Sequence, residues 1–332
     1  MFGIGIETSC DETSVAVIED GLIMRSCAIY SQVADHARFG GVVPEIASRS
    51  HLEKINSVFA QAMDDSGVRM EDLSYCAVTT RPGLVGSLMI GGILAKSIHL
   101  AFGTPIVTCD HLEAHFYAAA LDAGKPLVYP FLGLLLSGGN SAIFIVRGPG
   151  DLEQIADTAD DAIGEAFDKT AATLGLSYPG GPAVESCASG YVEKSPSIFT
   201  PLLRNEQGLL FSFSGIKTAV TKAKREGHDF AKICHDFQET CFELVTRMLT
   251  RAVKQTGIDQ VVASGGVIAN TILRSRLESA AASGKFDLRY PAKKILCTDN
   301  GAMIGALGFF LFQKGKKDVV GFAVSDRRTQ NP

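Results

Sequence analysis

Phe2-Gly3-Ile4-Gly5-Ile6-Glu7-Thr8-Ser9-Cys10-Asp11-Glu12-Thr13-Ser14-Val15-Ala16-Val17-Ile18-Glu19 consists of two apolar, β-branched runs, residues 2 to 8 and 13 to 19, on either side of a small polar turn. Such a pattern predicts a β-hairpin with the adjacent acids Asp11 and Glu12 at its tip. The pattern returns later: Phe131 to Leu136 and Ala142 to Val146 flank Ser137-Gly138-Gly139-Asn140-Ser141. A repeated hairpin that opens an α/β stretch predicts two related lobes with a ligand cleft between them, each tip pointing into it.

Between the hairpins the chain alternates. A strand is expected from Leu22 to Tyr30, a helix from near Pro44 to Met63, a strand from Tyr75 to Thr80 and an apolar helix from Leu84 to Phe102. Proline suits a first helical turn, so Pro44 marks a start. The fold class is therefore α/β. With 332 residues, 46% of them hydrophobic, the chain can bury a large core, and its length favours two lobes.

Composition excludes several classes. Eight cysteines lie scattered without a C-x-x-C pair, which argues against a zinc knuckle or a disulfide framework and reads as reduced thiols in a cytoplasmic protein. The N-terminus reaches Glu7 without a basic stretch, so it reads as a strand and not a signal peptide. The longest apolar stretches, Leu84 to Ala95 and Ala302 to Phe312, are shorter than a membrane span, so no membrane is expected. A net charge of −5 argues against holding nucleic acid unaided. Residues 151 to 170 carry seven acids against one Lys, while residues 285 to 332 carry nine Lys/Arg against four Asp. That basic region reads either as ordinary solvated surface or as a phosphate contact.

Several short motifs bear chemistry. In Asp110-His111-Leu112-Glu113-Ala114-His115, Asp110 suits a helix N-cap, and His111 and His115 then lie one turn apart on one face. Two such imidazoles form either a polar helix face or two ligands of a divalent metal with open positions left for catalysis. Asp299, expected where a strand over Lys294 to Cys297 meets the last helix, suits an N-cap or a third ligand. Gly138 and Gly139 let backbone N–H groups approach an anion, and Gly265 and Gly266, after a strand over Gln260 to Ala263, repeat the device ahead of a helix. A helix beginning near Asp160 would carry Asp161, Glu165 and Asp168 on one face.

The ordered set ETSCDET (7 to 13), GGVVPEIASRSH (40 to 51), HLEAH (111 to 115), LLSGGNS (135 to 141), GEAFDKTA (164 to 171), YPGGP (178 to 182), FSFSGIKTAV (211 to 220), ASGGVIAN (263 to 270) and CTDNGAMI (297 to 304) spans essentially the whole chain. It resembles the tRNA N6-adenosine threonylcarbamoyltransferase family, bacterial TsaD type. The resemblance implies two actin-like, ribonuclease-H-like lobes over residues 1–125 and 126–299, with a C-terminal helix of about 300–332 packing back on the first. It implies transfer of threonylcarbamoyl from threonylcarbamoyl-AMP to the N6 amine of adenosine 37 in tRNAs reading A-starting codons. One Fe(2+) or Zn(2+) would sit on His111, His115 and Asp299. Substrate would lie on Leu135, Leu136, Ser137, Gly138, Gly139, Asp168, Gly181, Glu185 and Asn270. Apart from the resemblance, the acidic hairpin tip makes Asp11 or Glu12 the expected acceptor of the proton that the amine loses. A TsaB-like paralogue and a TsaE-like ATPase would be partners beside tRNA.

Two positions depart from the family pattern: Asn140-Ser141 replaces His-Thr, and Arg81 replaces a Gly. Asn cannot exchange a proton near neutral pH, so the loop is expected to bind without acid or base chemistry at that position. Two rival functions follow from the same residues. A metalloprotease needs Glu directly after the first His, where this chain has Leu112. A non-catalytic nucleotide-binding scaffold would have no use for the metal triad.

Overall fold

The computed structural model describes residues 1–37, 39–193, 195–203 and 208–327. The chain forms two compact units, Met1–Leu127 joined by the chain from Pro291 onward, and Val128–Tyr290.

In the first unit β1 (Phe2–Glu7), β2 (Glu12–Glu19) and β3 (Ile23–Ser31) make an antiparallel meander. α1 (Val33–Ala37) and α2 (Pro44–Ser66) lead to β4 (Leu73–Arg81), which pairs parallel with β1. α3 (Val85–Phe102) then leads to β5 (Ile106–Asp110), parallel to β4, and α4 (His111–Ala123) follows at once. Among the described residues the sheet order is β3-β2-β1-β4-β5. Pro44 does open α2, and Gly67, in the left-handed conformation, closes it.

The second unit repeats this plan. β6 (Phe131–Leu136), β7 (Ser141–Gly148) and β8 (Asp151–Thr158) form its meander. α5 (Ile163–Leu174), α6 (Gly180–Ala188), the short β9 (Leu210–Phe211), α7 (Ser214–Arg225) and α8 (Phe230–Thr256) precede β10 (Gln260–Ser264), which pairs parallel with β6. α9 (Thr271–Gly284) leads to β11 (Asp287–Arg289), parallel to β10. The order is β11-β10-β6-β7-β8-β9 among the described residues, so a meander flanked by two parallel strands occurs twice. Its core is organised by α8, which buries Ile233, Phe237, Cys241, Leu244 and Met248 at helical spacing.

The acidic stretch from 151 to 170 proves to be mostly structural. β8 was not legible in it, because the strand owes its stability to the ladder with β7, and its acids are exposed. The helix begins at Ile163, not near Asp160, so Asp161 lies outside it, and Asp161, Glu165 and Asp168 do not share one helical face. Lys169 instead bridges Asp161 and Glu165. Asp160 reaches α7, whose own N-cap residue Phe213 supplies no side-chain bond: its carboxylate accepts from Phe213 N (2.8 Å), Ser214 N (3.2 Å) and the Ser212 and Ser214 hydroxyls. Burial works to raise this carboxyl, but these donors hold it below the usual carboxylate range. Asp160→Ala should therefore cost about 1 kcal/mol, as loss of a helix cap does. Because the folded pKa is depressed, the advantage of wild type over Asp160→Asn should be complete above pH about 4 and vanish as pH falls through the folded value. Urea unfolding of both proteins between pH 2 and 7 checks this.

The chain returns to the first unit at Pro291, and α10 (Gly301–Gln313) is the last helix among the described residues, shorter than the expected helix of about 300–332. Residues 328–332, part of the basic C-terminal stretch, lie outside the described residues. Lys294–Leu296 is a 3-10 turn and not the expected strand. The N-cap of α10 is Asn300, whose side chain accepts from Met303 N (2.9 Å), so Asp299 is not the cap.

Strand alternation in β1 explains how α10 seats. Ile4 and Ile6 pack with Ile55 and Val58 of α2 and Ala95 and Ile98 of α3. Gly3, Gly5 and Glu7 point the other way. A Cβ on Gly5 would lie 2.1 Å from Gly301 O, and one on Gly301 would lie 2.6 Å from Gly5 O. The two glycines thus let a helix backbone touch a strand backbone, and Glu7 is aimed at the same side of the sheet as α10.

Candidate metal centre and substrate loops

β5 delivers the chain directly into α4. The Asp110 carboxylate accepts from Leu112 N (3.0 Å) and Glu113 N (3.2 Å), which caps the helix as expected. His111 and His115 are buried on successive turns, their rings 4.8 Å apart and edge to face. Asp299, one residue ahead of the cap of α10, completes the group: its Oδ1 lies 3.2 Å from His115 Nε2 and 3.6 Å from His111 Nε2. All three ligand atoms lie within 4.8 Å of one another. Ligands at ~2.1 Å around a tetrahedral ion stand ~3.4 Å apart, and the Asp299 carboxylate stands at close to that spacing from each imidazole.

Electrostatics agree with that geometry. Burial works against the charged form of His111, but the Asp299 and Glu7 carboxylates raise it to about 9. Burial likewise works against the Asp299 carboxylate, yet the two imidazoles hold it down at about 2. The two histidines are buried and Asp299 is partly so, and a divalent cation would take the place of the imidazolium proton beside the carboxylates.

The hairpin tip belongs to the same unit. Glu12 is the first residue of β2 and accepts from Ser31 Oγ (3.3 Å), while Gln32 N donates to the Asp11 carbonyl (3.0 Å). Burial, together with the Asp299 and Asp11 carboxylates, pushes the Glu12 carboxyl up to about 10. His51 of α2, part of a motif with no role assigned from sequence, holds the tip: its Nε2 lies 3.0 Å from Cys10 O and its Nδ1 2.7 Å from Thr13 Oγ1. With Nε2–H donating to the carbonyl, Nδ1 accepts from the hydroxyl, so the tautomer follows from the partners. Arg81, at the end of β4, places its Nε 3.7 Å from Asp110 Oδ2.

The remaining candidates lie in the second unit. Leu135 and Leu136 are fully buried strand residues, so only their backbone can meet a ligand. Beyond them the Ser137–Asn140 turn is held by Ser137 N to Asn140 O (2.8 Å) and Asn140 N to Ser137 Oγ (3.1 Å). A Cβ on Gly138 or Gly139 would meet nothing within 4 Å, so internal packing does not require these glycines and space lies open above them. The turn sits on the start of α5, where Glu165 N donates to Gly138 O (3.1 Å) and Gly164 abuts Ser137 O. Gly265, at φ +98°, lies against Leu136 O, so the two glycine loops are neighbours.

Asp168 Oδ1 accepts from Gly180 N (2.6 Å), and space is open at Gly181. Glu185 Oε1 accepts from Thr271 N (3.1 Å) and Thr271 Oγ1 (3.0 Å). Asn270 caps α9 through its Oδ1, so the side-chain amide nitrogen is what it has to offer a ligand. A cavity of about 580 Å³ adjoins these residues, lined by Pro182, Glu185, Ser189, His235, Gln238 and Thr271 among others. Each unit thus gathers its own candidate residues: His111, His115, Asp299 and the acidic tip in the first, the two glycine loops with Asp168, Glu185 and Asn270 in the second.

A family model described as tRNA N6-adenosine threonylcarbamoyltransferase, TsaD, matches residues 24–306. The chain belongs to this family. A protein of that name from Leptospira interrogans is 50% identical over 99% of both chains, and one from Trichlorobacter lovleyi is 42% identical over 95% of this chain and 93% of its own. The chain is therefore a transferase acting in tRNA threonylcarbamoylation, and the resemblance read from its motifs holds. The protease reading falls with that.

Solved structures agree on the fold alone. The HypF of T. kodakarensis is 14% identical with a TM-score of 0.64, over 94% of this chain and 48% of that one. Component A of the Acidaminococcus fermentans (R)-2-hydroxyglutaryl-CoA dehydratase is 14% identical with a TM-score of 0.57, over 95% and 100%. The architecture is the actin-like, sugar-kinase-like α/β fold that the family resemblance implied.

Proposed function

We propose that the chain transfers threonylcarbamoyl from threonylcarbamoyl-AMP to N6 of adenosine 37 in tRNAs reading A-starting codons, with one Fe(2+) or Zn(2+) on His111, His115 and Asp299. The observation that carries the metal is the convergence of three ligand atoms within 4.8 Å in a chain of this family. A bound ion would supply Lewis acidity toward a donor oxygen. The donor is a mixed anhydride, so no covalent nucleophile is required of the protein; positioning and charge stabilisation suffice.

The chain's own groups divide the rest. Backbone N–H groups at Gly138 and Gly139, in the open space above the turn, suit the donor phosphate, whereas the Ser137 N–H is taken by Asn140 O within the turn. Asp168 and Glu185, whose Oδ1 and Oε1 accept from protein donors, are the carboxylates suited to accept from ribose hydroxyls. Asp11 or Glu12 accepts the proton that the amine loses; cationic charge at the triad would offset the contribution of Asp299 to the raised Glu12.

A TsaB-like paralogue, a TsaE-like ATPase and cytoplasmic tRNA complete the reading. α3 is long and apolar enough by composition to cross a membrane, and only a third of it is buried. The helix spans Val85–Phe102, within a residue of the apolar helix expected from sequence. Its exposed Met89 and Ile93, with Leu52 of the adjoining α2, form the apolar face proposed for the paralogue.

The test is a transfer assay with threonylcarbamoyl-AMP and unmodified tRNA, with and without the paralogue and the ATPase. Failure to modify adenosine 37 under every combination sinks the reading. Asn140→His should leave that rate within about tenfold, roughly 1.4 kcal/mol, because the two bonds made by the Asn140 backbone survive and only the long Asn140 Nδ2 to Ser137 Oγ bond (3.4 Å) is lost. A far larger gain would mean that a proton-transfer role at this position has been lost in this chain.

A further inference from the structure

Glu7, the first residue of the ETSCDET stretch, is a fully buried carboxylate to which the proposed transfer reaction gives no role. Its parity with Gly3 and Gly5 turns it to the side of the sheet where α10 lies, and there it meets α4. Oε1 accepts from Ser9 N, while Oε2 accepts from Thr79 Oγ1 (2.7 Å) and lies 3.0 Å from His111 Nδ1. Ser9 Oγ also lies 3.1 Å from that Nδ1. The opposite ring nitrogen, Nε2, faces Asp299 at 3.6 Å. One imidazole is therefore held end to end between two carboxylates.

We propose that Glu7 is a positioning residue for the metal: its carboxylate takes the Nδ1–H of His111 and so commits Nε2 to the ion. This rests on the reading of His111 as a ligand. A buried carboxylate is costly unless donors surround it, and two of its donors, Ser9 N and Thr79 Oγ1, fix its orientation independently of the histidine. The ring is thus oriented by a preset group. Such a partner fixes the tautomer, aims the lone pair and makes the nitrogen a better donor to metal. His115 has no bond to Glu7 among those described, so the effect falls on one arm of the site.

The test uses the full chain and zinc. Nitrogen NMR of zinc-loaded wild type, labelled at histidine, should show His111 protonated at Nδ1 and bound through Nε2. Zinc affinity, by competition with a chromophoric chelator, should fall about tenfold to hundredfold in Glu7→Gln, whose amide cannot accept from all three donors, and less in Glu7→Asp. Metal-free circular dichroism establishes that the variants fold; if Glu7→Gln does not, the wild-type spectrum decides alone. Ligation through Nδ1, or a folded Glu7→Gln that binds zinc as tightly as wild type, overturns the proposal. A merely structural Glu7 would lower the metal-free unfolding midpoint and leave zinc affinity unchanged. Wild type that takes up no zinc would instead refute the metal reading itself, and this inference with it.

Discussion

Replacing His115 with alanine is expected to strip the metal and abolish threonylcarbamoyl transfer while both units remain folded. The side chain is 1% exposed and sits among Ala114, Phe116 and Ala118 of a helix that is otherwise packed by small and aromatic residues. Alanine is the best helix former, so α4 should persist, with a small cavity as its penalty. The metal, however, would keep two of three protein ligands. The same holds for His111→Ala, with the added consequence that Glu7 is left with one donor fewer. Metal per chain, transfer rate and far-ultraviolet circular dichroism are the three readings. A His115 variant that retains full metal and turnover would remove the triad from the mechanism.

Asp299→Asn should be nearly as damaging, and for a reason the fold sharpens. From sequence, Asp299 had two readings, a helix cap or a metal ligand, and Asn caps about as well as Asp. The cap turns out to be Asn300, bonded to Met303 N, so the substitution at 299 leaves α10 anchored. What it removes is the one carboxylate facing both Nε2 atoms, at 3.2 and 3.6 Å. A neutral amide oxygen is a poor donor to a divalent ion. Metal affinity should fall by more than about 100-fold, beyond what loss of an orienting partner costs, and transfer should be lost with it. Equilibrium dialysis against zinc checks the first and the transfer assay the second. Normal occupancy in Asp299→Asn would leave His111 and His115 without their third ligand.

How much of this was legible follows from which interactions are local. The paired hairpins, the Asp110 cap and the spacing of His111 and His115 are written in residues close together in sequence, and the structure keeps each of them. Position 299 was ambiguous because one neighbour, Asn300, does the work that sequence alone offers to either. β8 was hidden because its acids mask a strand that the ladder to β7 makes stable. Glu7 and His51 were missed for a different reason. Their partners, His111, Thr79, Cys10 and Thr13, are brought to them by sheet pairing and helix packing across tens of residues, and no short motif records that. The one available signal for Glu7 was its parity with Gly3 and Gly5, which placed it on the face that the closest-packed helix would cover.

The most direct single measurement is transfer to unmodified tRNA by the protein purified without chelator, then stripped with chelator, then resupplied with one equivalent of Fe(2+) or Zn(2+). If His111, His115 and Asp299 hold a working ion, transfer disappears on stripping and returns on resupply, with about one ion regained per chain. Undiminished transfer by protein shown to be metal-free would contradict it.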